Sequence, residues 1–76
     1  MTEFNATLDA SGLNCPLPIL KARKHLNSLD SGQVLYIVAT DSGSVKDFDS
    51  FCSQTGHTLL ESSESGGKYH YYIRKS

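Results

Sequence analysis

Hydrophobic and polar residues follow each other along the chain in patterns that predict four short strands. Residues 4–10 alternate weakly with the two-residue period of a strand. Residues 33–40 form a nearly continuous, β-branched apolar run, which is typical of a central strand covered on both faces. Two more strands are predicted at residues 57–62 and 69–74. The dipeptide Gly66-Gly67 between them predicts a hairpin turn.

Two other stretches have the 3.6-residue period of amphipathic helices. Apolar residues recur at spacings of three and four within residues 16–30, which predicts the first helix. Gly32, just beyond its end, is expected to belong to a C-terminal cap. The second helix is predicted over residues 45–54. We expect Ser44 to be its N-cap, with Asp47 at the third helical position.

The predicted order is therefore β-α-β-α-β-β. Strand–helix–strand connections favour parallel pairing with right-handed crossovers, whereas a tight hairpin favours an antiparallel pair. These rules predict an α/β (α+β) two-layer sandwich, with a four-stranded mixed sheet and two helices on one face. The other face would be partly open to solvent, and the four tyrosines could cover it.

The length of 76 residues indicates a single domain over residues 1–76. A domain of this size buries only about 60% of the surface of its unfolded chain, which excludes a large substrate cavity. No apolar run approaches the roughly 20 residues of a membrane span, and no signal peptide is visible. Two cysteines are too few for a disulfide scaffold. We therefore expect a cytoplasmic protein with free thiols.

The charges are distributed unevenly along the chain. A net charge of −1 argues against general nucleic-acid affinity. Residues 15–26, however, carry three cations and no acid: Lys21, Arg23 and Lys24. Two interpretations stay open at this point. The segment is either a solvated helix face or a docking surface for an acidic partner.

The segment Cys15-Pro16-Leu17-Pro18 lies between the first strand and the first helix. A helix N-terminus has a positive field that stabilises a thiolate, and prolines are tolerated in its first turn. Two registers stay open. If Cys15 is the N-cap, only the Leu17 N–H can donate to its sulfur. If the helix instead begins at Pro18, Cys15 lies just outside it.

The remaining cysteine and the histidines carry weaker signals. Cys52 lies on the apolar stripe of the second helix, so we expect it to be a packing residue. His25 would lie about 15 Å along the first helix from Cys15, too far to act as its base. The cysteines and histidines match no zinc spacing, and neither a metal nor a cofactor is expected.

The pattern Leu8-Asp9-x-x-Gly12-x-x-Cys15-Pro16-x-Pro18 resembles the Cys-Pro-x-Pro motif of the TusA (SirA-like) sulfur-carrier family. The resemblance covers about residues 7–74 and implies the same βαβαββ fold. One departure is Ser42, which stands where many members have a proline. Further similar positions are Gly32, Asp41, Asp47, Phe51-Cys52 and Gly56-His57.

The resemblance implies a sulfurtransferase that carries a persulfide on Cys15. The sulfur would come from a cysteine desulfurase or a rhodanese and pass to an acceptor protein of the DsrE or TusD type. The relay would serve 2-thiouridine formation in tRNA or cytoplasmic sulfur oxidation. We expect the free protein to be a monomer that binds neither nucleic acid nor membrane. The expected supporting residues are Asp9, Gly12, Pro16, Leu17 and Pro18, and the expected docking residues are Lys21, Arg23 and Lys24.

Two other functions stay open. A thiol redox module would cycle Cys15 and Cys52 through a disulfide, which requires the two sulfurs to approach each other. A non-catalytic interaction domain would bind partners through residues 21–25 without any chemistry at Cys15.

Overall fold

A computed structural model describes residues 3–14 and 16–76 of the chain. The element order confirms the predicted β-α-β-α-β-β sequence. The elements are β1 (Ala6–Ala10), α1 (Leu17–Asn27), β2 (Val34–Ala39), α2 (Ser44–Thr55), β3 (Thr58–Ser65) and β4 (Lys68–Arg74). Neither helix is both long enough and apolar enough to cross a bilayer, among the residues described.

The four strands form one mixed sheet in the order β1-β2-β4-β3. β1 and β2 are parallel, and β4 is antiparallel to both of its neighbours. α1 packs over β1 and β2, while α2 packs over β3 and β4. The predicted two-layer sandwich is therefore confirmed. Because β1 and β2 are parallel neighbours, the loops that follow them emerge side by side at one end of the sheet.

The core lies between the sheet and the helices. Alternate residues of β2 face it, and Leu35, Ile37 and Ala39 are fully buried. Tyr36 and Val38 face the opposite side and are only half-buried. The prediction that this strand is covered on both faces was therefore wrong. Both helices lie on the same side, and no second layer formed by the described residues covers the other face.

Aromatic side chains partly cover the open face of the sheet. Tyr36 and Tyr72 stack there with ring centroids 4.8 Å apart. Phe4 lies against Tyr36 at 5.2 Å, although β1 begins two residues later than Phe4, at Ala6. Tyr71 and Tyr69 lie on the other side of β4, where Tyr71 is fully buried and Tyr69 packs against the core. Only two of the four tyrosines therefore cover the open face as expected.

The first helix ends at Asn27, before the predicted position. The Ser28 hydroxyl donates to the His25 carbonyl at 2.7 Å and competes with continuation of the helix. Gly32 does not cap the helix. Its N–H donates to the Lys75 carbonyl at 2.8 Å, in the turn that leads into β2.

The second helix confirms the prediction in extent but not in its cap. Gly43 is the N-cap, and Ser44 is the first helical residue, fully buried. The Ser44 hydroxyl lies 2.7 Å from the hydroxyl of Tyr71 and makes no cap hydrogen bond. Asp47 therefore lies at the fourth helical position and not at the third. The helix ends at Gly56, which has a φ of 84° in the left-handed region.

The two ends of the described chain meet at the end of the sheet where β2 begins. The Asn5 N–H donates to the Val34 carbonyl at 2.8 Å, and the Lys75 N–H donates to the Gln33 carbonyl at 2.8 Å. The β1–α1 loop, the β2–α2 loop and the β3–β4 hairpin lie at the opposite end. The ends of the described chain and the β1–α1 loop therefore lie at opposite ends of the sheet.

Candidate functional site

The predicted site is the loop between β1 and α1. Cys15 lies outside the described residues, so the site is defined by the residues on its two sides. Hydrogen bonds hold the backbone on both sides. The arrangement around the loop shows what the expected supporting residues do.

On the entry side, the chain leaves β1 through a tight turn. The Leu13 N–H donates to the Ala10 carbonyl at 3.2 Å, which closes a four-residue turn. Gly12 is the third residue of this turn and has a φ of 78°. A positive φ at this position is typical of a type II turn and favours glycine. An added Cβ would meet no atom within 4 Å, so the backbone conformation is what favours glycine here.

Two side chains hold this turn. The Asp9 carboxylate accepts the Ser11 N–H at 3.0 Å, and the Thr40 hydroxyl accepts the Gly12 N–H at 2.8 Å. The pKa of Asp9 is lowered first by a hydrogen bond from the Ser11 side chain and then by the Ser11 N–H. The charge of Lys68 lowers it further. Asp9 is therefore ionised near neutral pH, and it supports the turn from the β1 side.

On the exit side, α1 begins at Leu17 with Pro16 as its N-cap. Neither of the two registers left open by the sequence is correct, because each differs from this one by a single residue. The Leu17 N–H donates to the Asn14 carbonyl at 2.9 Å. The backbone therefore already uses the amide that we expected to serve the sulfur of Cys15.

The first turn of α1 anchors the loop and presents an apolar rim. Pro18 is fully buried and fixes the start of the helix against the core. Pro16 is exposed, and Leu17 and Leu20 are 45% and 52% exposed. The first turn contains no acidic residue that would offset the positive end of the helix. Cys15 therefore precedes a helix start that is positive, apolar and open to solvent.

The three expected docking residues do not form one surface. Lys21 and Lys24 line a shallow depression on the outer side of α1, together with His25 and Ser28. Arg23 points to the other side, where its guanidinium carbon lies 5.9 Å from the centroid of the Phe51 ring. The structure thus brings Lys21 and Lys24 together and separates Arg23 from them.

Arg23 belongs to a groove between the two helices. Pro16 and Ile19 lie along the same groove on the α1 side, and Asp47 and Ser50 lie along it on the α2 side. The groove thus reaches the residue that immediately follows Cys15 in the chain. A cation on an aromatic ring, facing a carboxylate across the groove, makes this surface chemically different from the lysine face.

Cys52 is a core residue, as predicted. It is 5% exposed, and burial, followed by the charge of Asp49, raises the pKa of its thiol to about 11. At neutral pH its thiolate fraction is therefore about one part in ten thousand. The redox alternative stays a prediction because Cys15 is not described, but Cys52 would be a poor thiol for exchange.

The histidines lie away from one another. His25 is in the last turn of α1, His57 accepts a hydrogen bond from the Ser76 N–H, and His70 bonds the Tyr36 hydroxyl on the open face. Within residues 3–14 and 16–76, no three acidic, histidine or cysteine side chains are grouped to hold a metal ion.

Sequence reasoning missed Thr40 and Lys68 as neighbours of the loop. Thr40 directly follows β2, and the carboxyl ends of neighbouring parallel strands meet at one edge of a sheet. Lys68 begins β4, which is antiparallel to β2 and so starts at the same end. The predicted topology would therefore have been enough to place Thr40 and Lys68 at the same end of the sheet as the β1–α1 loop.

Comparisons with known proteins agree with this fold. The family described as Sulfurtransferase TusA matches residues 6–75. Sulfur carrier protein TusA of Allochromatium vinosum is 64% identical over 76 residues and is covered completely, as is this chain. Sulfur carrier protein TusA of Pseudomonas entomophila is 48% identical over 99% of this chain and 96% of the relative. The crystal structure of the SirA-like protein of Desulfitobacterium hafniense superposes with a TM-score of 0.82. It is 25% identical over 92% of this chain and 96% of that chain.

Proposed function

Because the chain belongs to the TusA sulfurtransferase family, and its members include sulfur carrier proteins, we propose that it carries sulfur as a persulfide on Cys15. The observation that supports this most is the position of Cys15 in the chain. It lies between a hydrogen-bonded turn closed at Leu13 and the exposed, acid-free start of α1 at Leu17. Such a position favours the thiolate, which is the nucleophilic form of cysteine.

The proposed step is a transfer of sulfane sulfur between two thiols. The Cys15 thiolate attacks the terminal sulfur of a donor persulfide. A sulfur–sulfur bond forms on Cys15 as the sulfur–sulfur bond of the donor breaks, and the donor cysteine leaves as a thiolate. The terminal S–H proton stays on the transferred sulfur, so no external oxidant or reductant is needed. Delivery is the same exchange with the carrier as the donor.

The surface around the loop fits a carrier that works inside its partners' sites. Pro16, Leu17 and Leu20 form an exposed apolar rim next to Cys15. An apolar rim can enter the pocket of a partner enzyme and exclude water there, which protects a persulfide from side reactions. In this view, residues 1–76 act as one domain and need neither a metal nor a cofactor.

We propose that partners dock on two surfaces of α1, the lysine face and the groove that contains Arg23. Lys21 and Lys24 offer an exposed positive face, and Arg23 offers a cation held on the Phe51 ring. The partners would be a cysteine desulfurase or rhodanese as donor and a protein of the DsrE or TusD type as acceptor. The relay would operate in the cytoplasm, where a reducing environment keeps thiols free, and would serve tRNA thiolation or sulfur oxidation.

Intact mass spectrometry tests this function. The protein is incubated with a cysteine desulfurase and cysteine, and we expect a gain of one sulfur atom. The adduct should be lost in Cys15→Ala and kept in Cys52→Ala, which is the matched control. The absence of an adduct with any sulfane donor would contradict the carrier function. Partner binding that survives without any adduct would favour the interaction domain instead.

A further inference from the structure

The loop that contains Cys15 is held from outside by a residue that the proposed function does not use. The Thr40 hydroxyl accepts the Gly12 N–H at 2.8 Å, although the two residues are 28 positions apart in the chain. Thr40 follows the last residue of β2, and Gly12 lies three residues before Cys15. This contact joins the ends of the two parallel strands directly beside the site.

The contact involves the one peptide group of the turn that can reverse its direction. Types I and II of a four-residue turn differ mainly by a rotation of about 180° of the central peptide. Here the central peptide joins Ser11 to Gly12, and the Gly12 φ of 78° is that of type II. In a type I turn the Gly12 N–H would point to the opposite side. Thr40 can accept it in the type II turn alone.

Thr40 is itself mounted on a stiff segment. The Asp41 carbonyl accepts the Ser44 N–H at 3.0 Å, and the Asp41 carboxylate accepts the Gly43 N–H at 3.2 Å. The Ser44 side chain is fixed in the core by the Tyr71 hydroxyl. On the other side, Ala39 ends β2 as a fully buried residue. The backbone on both sides of Thr40 is thus fixed, by the core at Ala39 and by the turn at residues 41–44, while the Thr40 side chain is exposed and reaches the Gly12 N–H from this anchored position.

We propose that Thr40 is a positioning residue for Cys15. By accepting the Gly12 N–H, it holds the turn in its type II form and so restrains the chain three residues before Cys15. The inference rests on the proposed function of Cys15. Its central readout, the reactivity of the thiol towards a small alkylating agent, does not depend on sulfur transfer.

The test compares isosteric and conservative substitutions of the same residue. Thr40→Val keeps the shape and removes the acceptor, whereas Thr40→Ser keeps the hydroxyl. Thr58→Val, at the opposite end of the sheet, is the matched control. The rate of Cys15 alkylation by iodoacetamide is measured across pH by peptide mass spectrometry, which separates Cys15 from Cys52. Persulfide loading by a cysteine desulfurase is measured on the same variants.

We expect Thr40→Val to raise the pH midpoint of Cys15 alkylation, because a released loop spends part of its time away from the positive end of α1. Loading should slow by about two- to tenfold, the range expected for the loss of one hydrogen bond. Thr40→Ser and Thr58→Val should match the unmodified protein. The NMR signal of the Gly12 amide should shift in Thr40→Val and return in Thr40→Ser.

Two results would overturn the inference. One is a Thr40→Val protein whose Cys15 alkylation profile and loading rate equal those of the unmodified protein. The other is an equal loss in Thr40→Ser, because the hydroxyl would then not be the cause. If Thr40→Val does not fold, Thr40→Ala replaces it in the same comparison. An unmodified protein that takes up no sulfur would refute the proposed function, while the alkylation profiles would still decide the role of Thr40.

Discussion

The hydroxyl groups of Ser44 and Tyr71 form a hydrogen bond with each other inside the core, so neither buried hydroxyl lacks a partner. The contact joins the start of α2 to β4 beneath the β2–α2 loop. Burial raises the pKa of Tyr71, and the hydrogen bond from Ser44 partly offsets this effect. A serine that sequence patterns suggest as a helix cap therefore serves as a buried hydrogen-bond partner.

Removing both members of this pair should cost less than the sum of the two single removals. Tyr71→Phe leaves the Ser44 hydroxyl buried without its partner, and we expect the free energy of unfolding to fall by about 1–3 kcal/mol. Ser44→Ala should have a similar effect, and the double variant should lose less than the sum of the two. Urea unfolding of the four proteins measures this difference.

Tyr72→Phe is the control for this cycle, because the Tyr72 ring lies on the open face of the sheet. It should change the free energy of unfolding by at most about 0.5 kcal/mol. Strict additivity of Ser44→Ala and Tyr71→Phe would show that the two hydroxyls are not energetically coupled.

Cys52 should destabilise the protein at high pH. Its folded pKa of about 11 lies above the ordinary thiol value of 9.0. Because the pKa of Cys52 is higher in the folded protein, the buried thiol contributes fully to the free energy of unfolding at any pH below its unfolded-state pKa. This contribution is lost as the pH rises through the folded-state pKa. We expect a loss of about 3 kcal/mol between these limits, since each pKa unit is worth about 1.4 kcal/mol. Chemical denaturation at several pH values measures it.

Cys52→Ala is the reference for this experiment, since tyrosines titrate in the same range and contribute equally to both proteins. The stability curves of the two proteins should converge as the pH rises towards 11. Parallel curves over the whole range would contradict the raised pKa of Cys52.

Gly56 should tolerate few substitutions although it has space around it. An added Cβ would meet no atom within 4 Å, but the φ of 84° is unfavourable for L-residues. We expect Gly56→Ala to lower the free energy of unfolding by about 1 kcal/mol and Gly56→Asn to lower it less. Thermal and urea unfolding are the measurements. Gly43→Ala, at a φ of −70°, is the control and should lose less.

The two lysines on the outer side of α1 should speed association with an acidic partner. Reversing their charge in Lys21→Glu and Lys24→Glu should lower the association rate with a cysteine desulfurase and weaken its dependence on salt. Lys46→Glu on α2 is the matched control. Stopped-flow fluorescence at several ionic strengths measures these association rates. An association rate of the unmodified protein that does not change with salt would contradict the proposal that this face docks partners.

Hydrophobic periodicity was sufficient to predict the element order and the sheet. Alternating apolar residues give β1 and β4 one apolar face each, and apolar residues spaced three and four apart do the same for both helices. The core forms where these faces pack together. The helix ends were less predictable, because single hydrogen bonds decide them. At the end of α1 the Ser28 hydroxyl and N–H both bond the His25 carbonyl, and no pattern of apolar residues contains that information.

The loop between β1 and α1 could be predicted from the sequence, but the contacts of the residues around it could not. We predicted one docking surface from three cations that are close in sequence, Lys21, Arg23 and Lys24. Residues two positions apart on a helix point to different sides, so Arg23 lies away from Lys21. The role of Leu17 was misjudged for a similar reason. Whether its N–H serves Asn14 or a sulfur depends on a register shift of one residue.

The opposed placement of chain ends and loop has a practical consequence. Asn5 and Lys75 form hydrogen bonds with the start of β2. Both ends of the described chain therefore lie at the end of the molecule opposite to Gly12 and Pro16. A partner can enclose the end of the molecule that contains the β1–α1 loop without contacting either end of the described chain. A fluorophore, an affinity handle or a surface tether attached near Ser76 would leave the end with Gly12 and Pro16 free, so single molecules could be followed while a partner binds there.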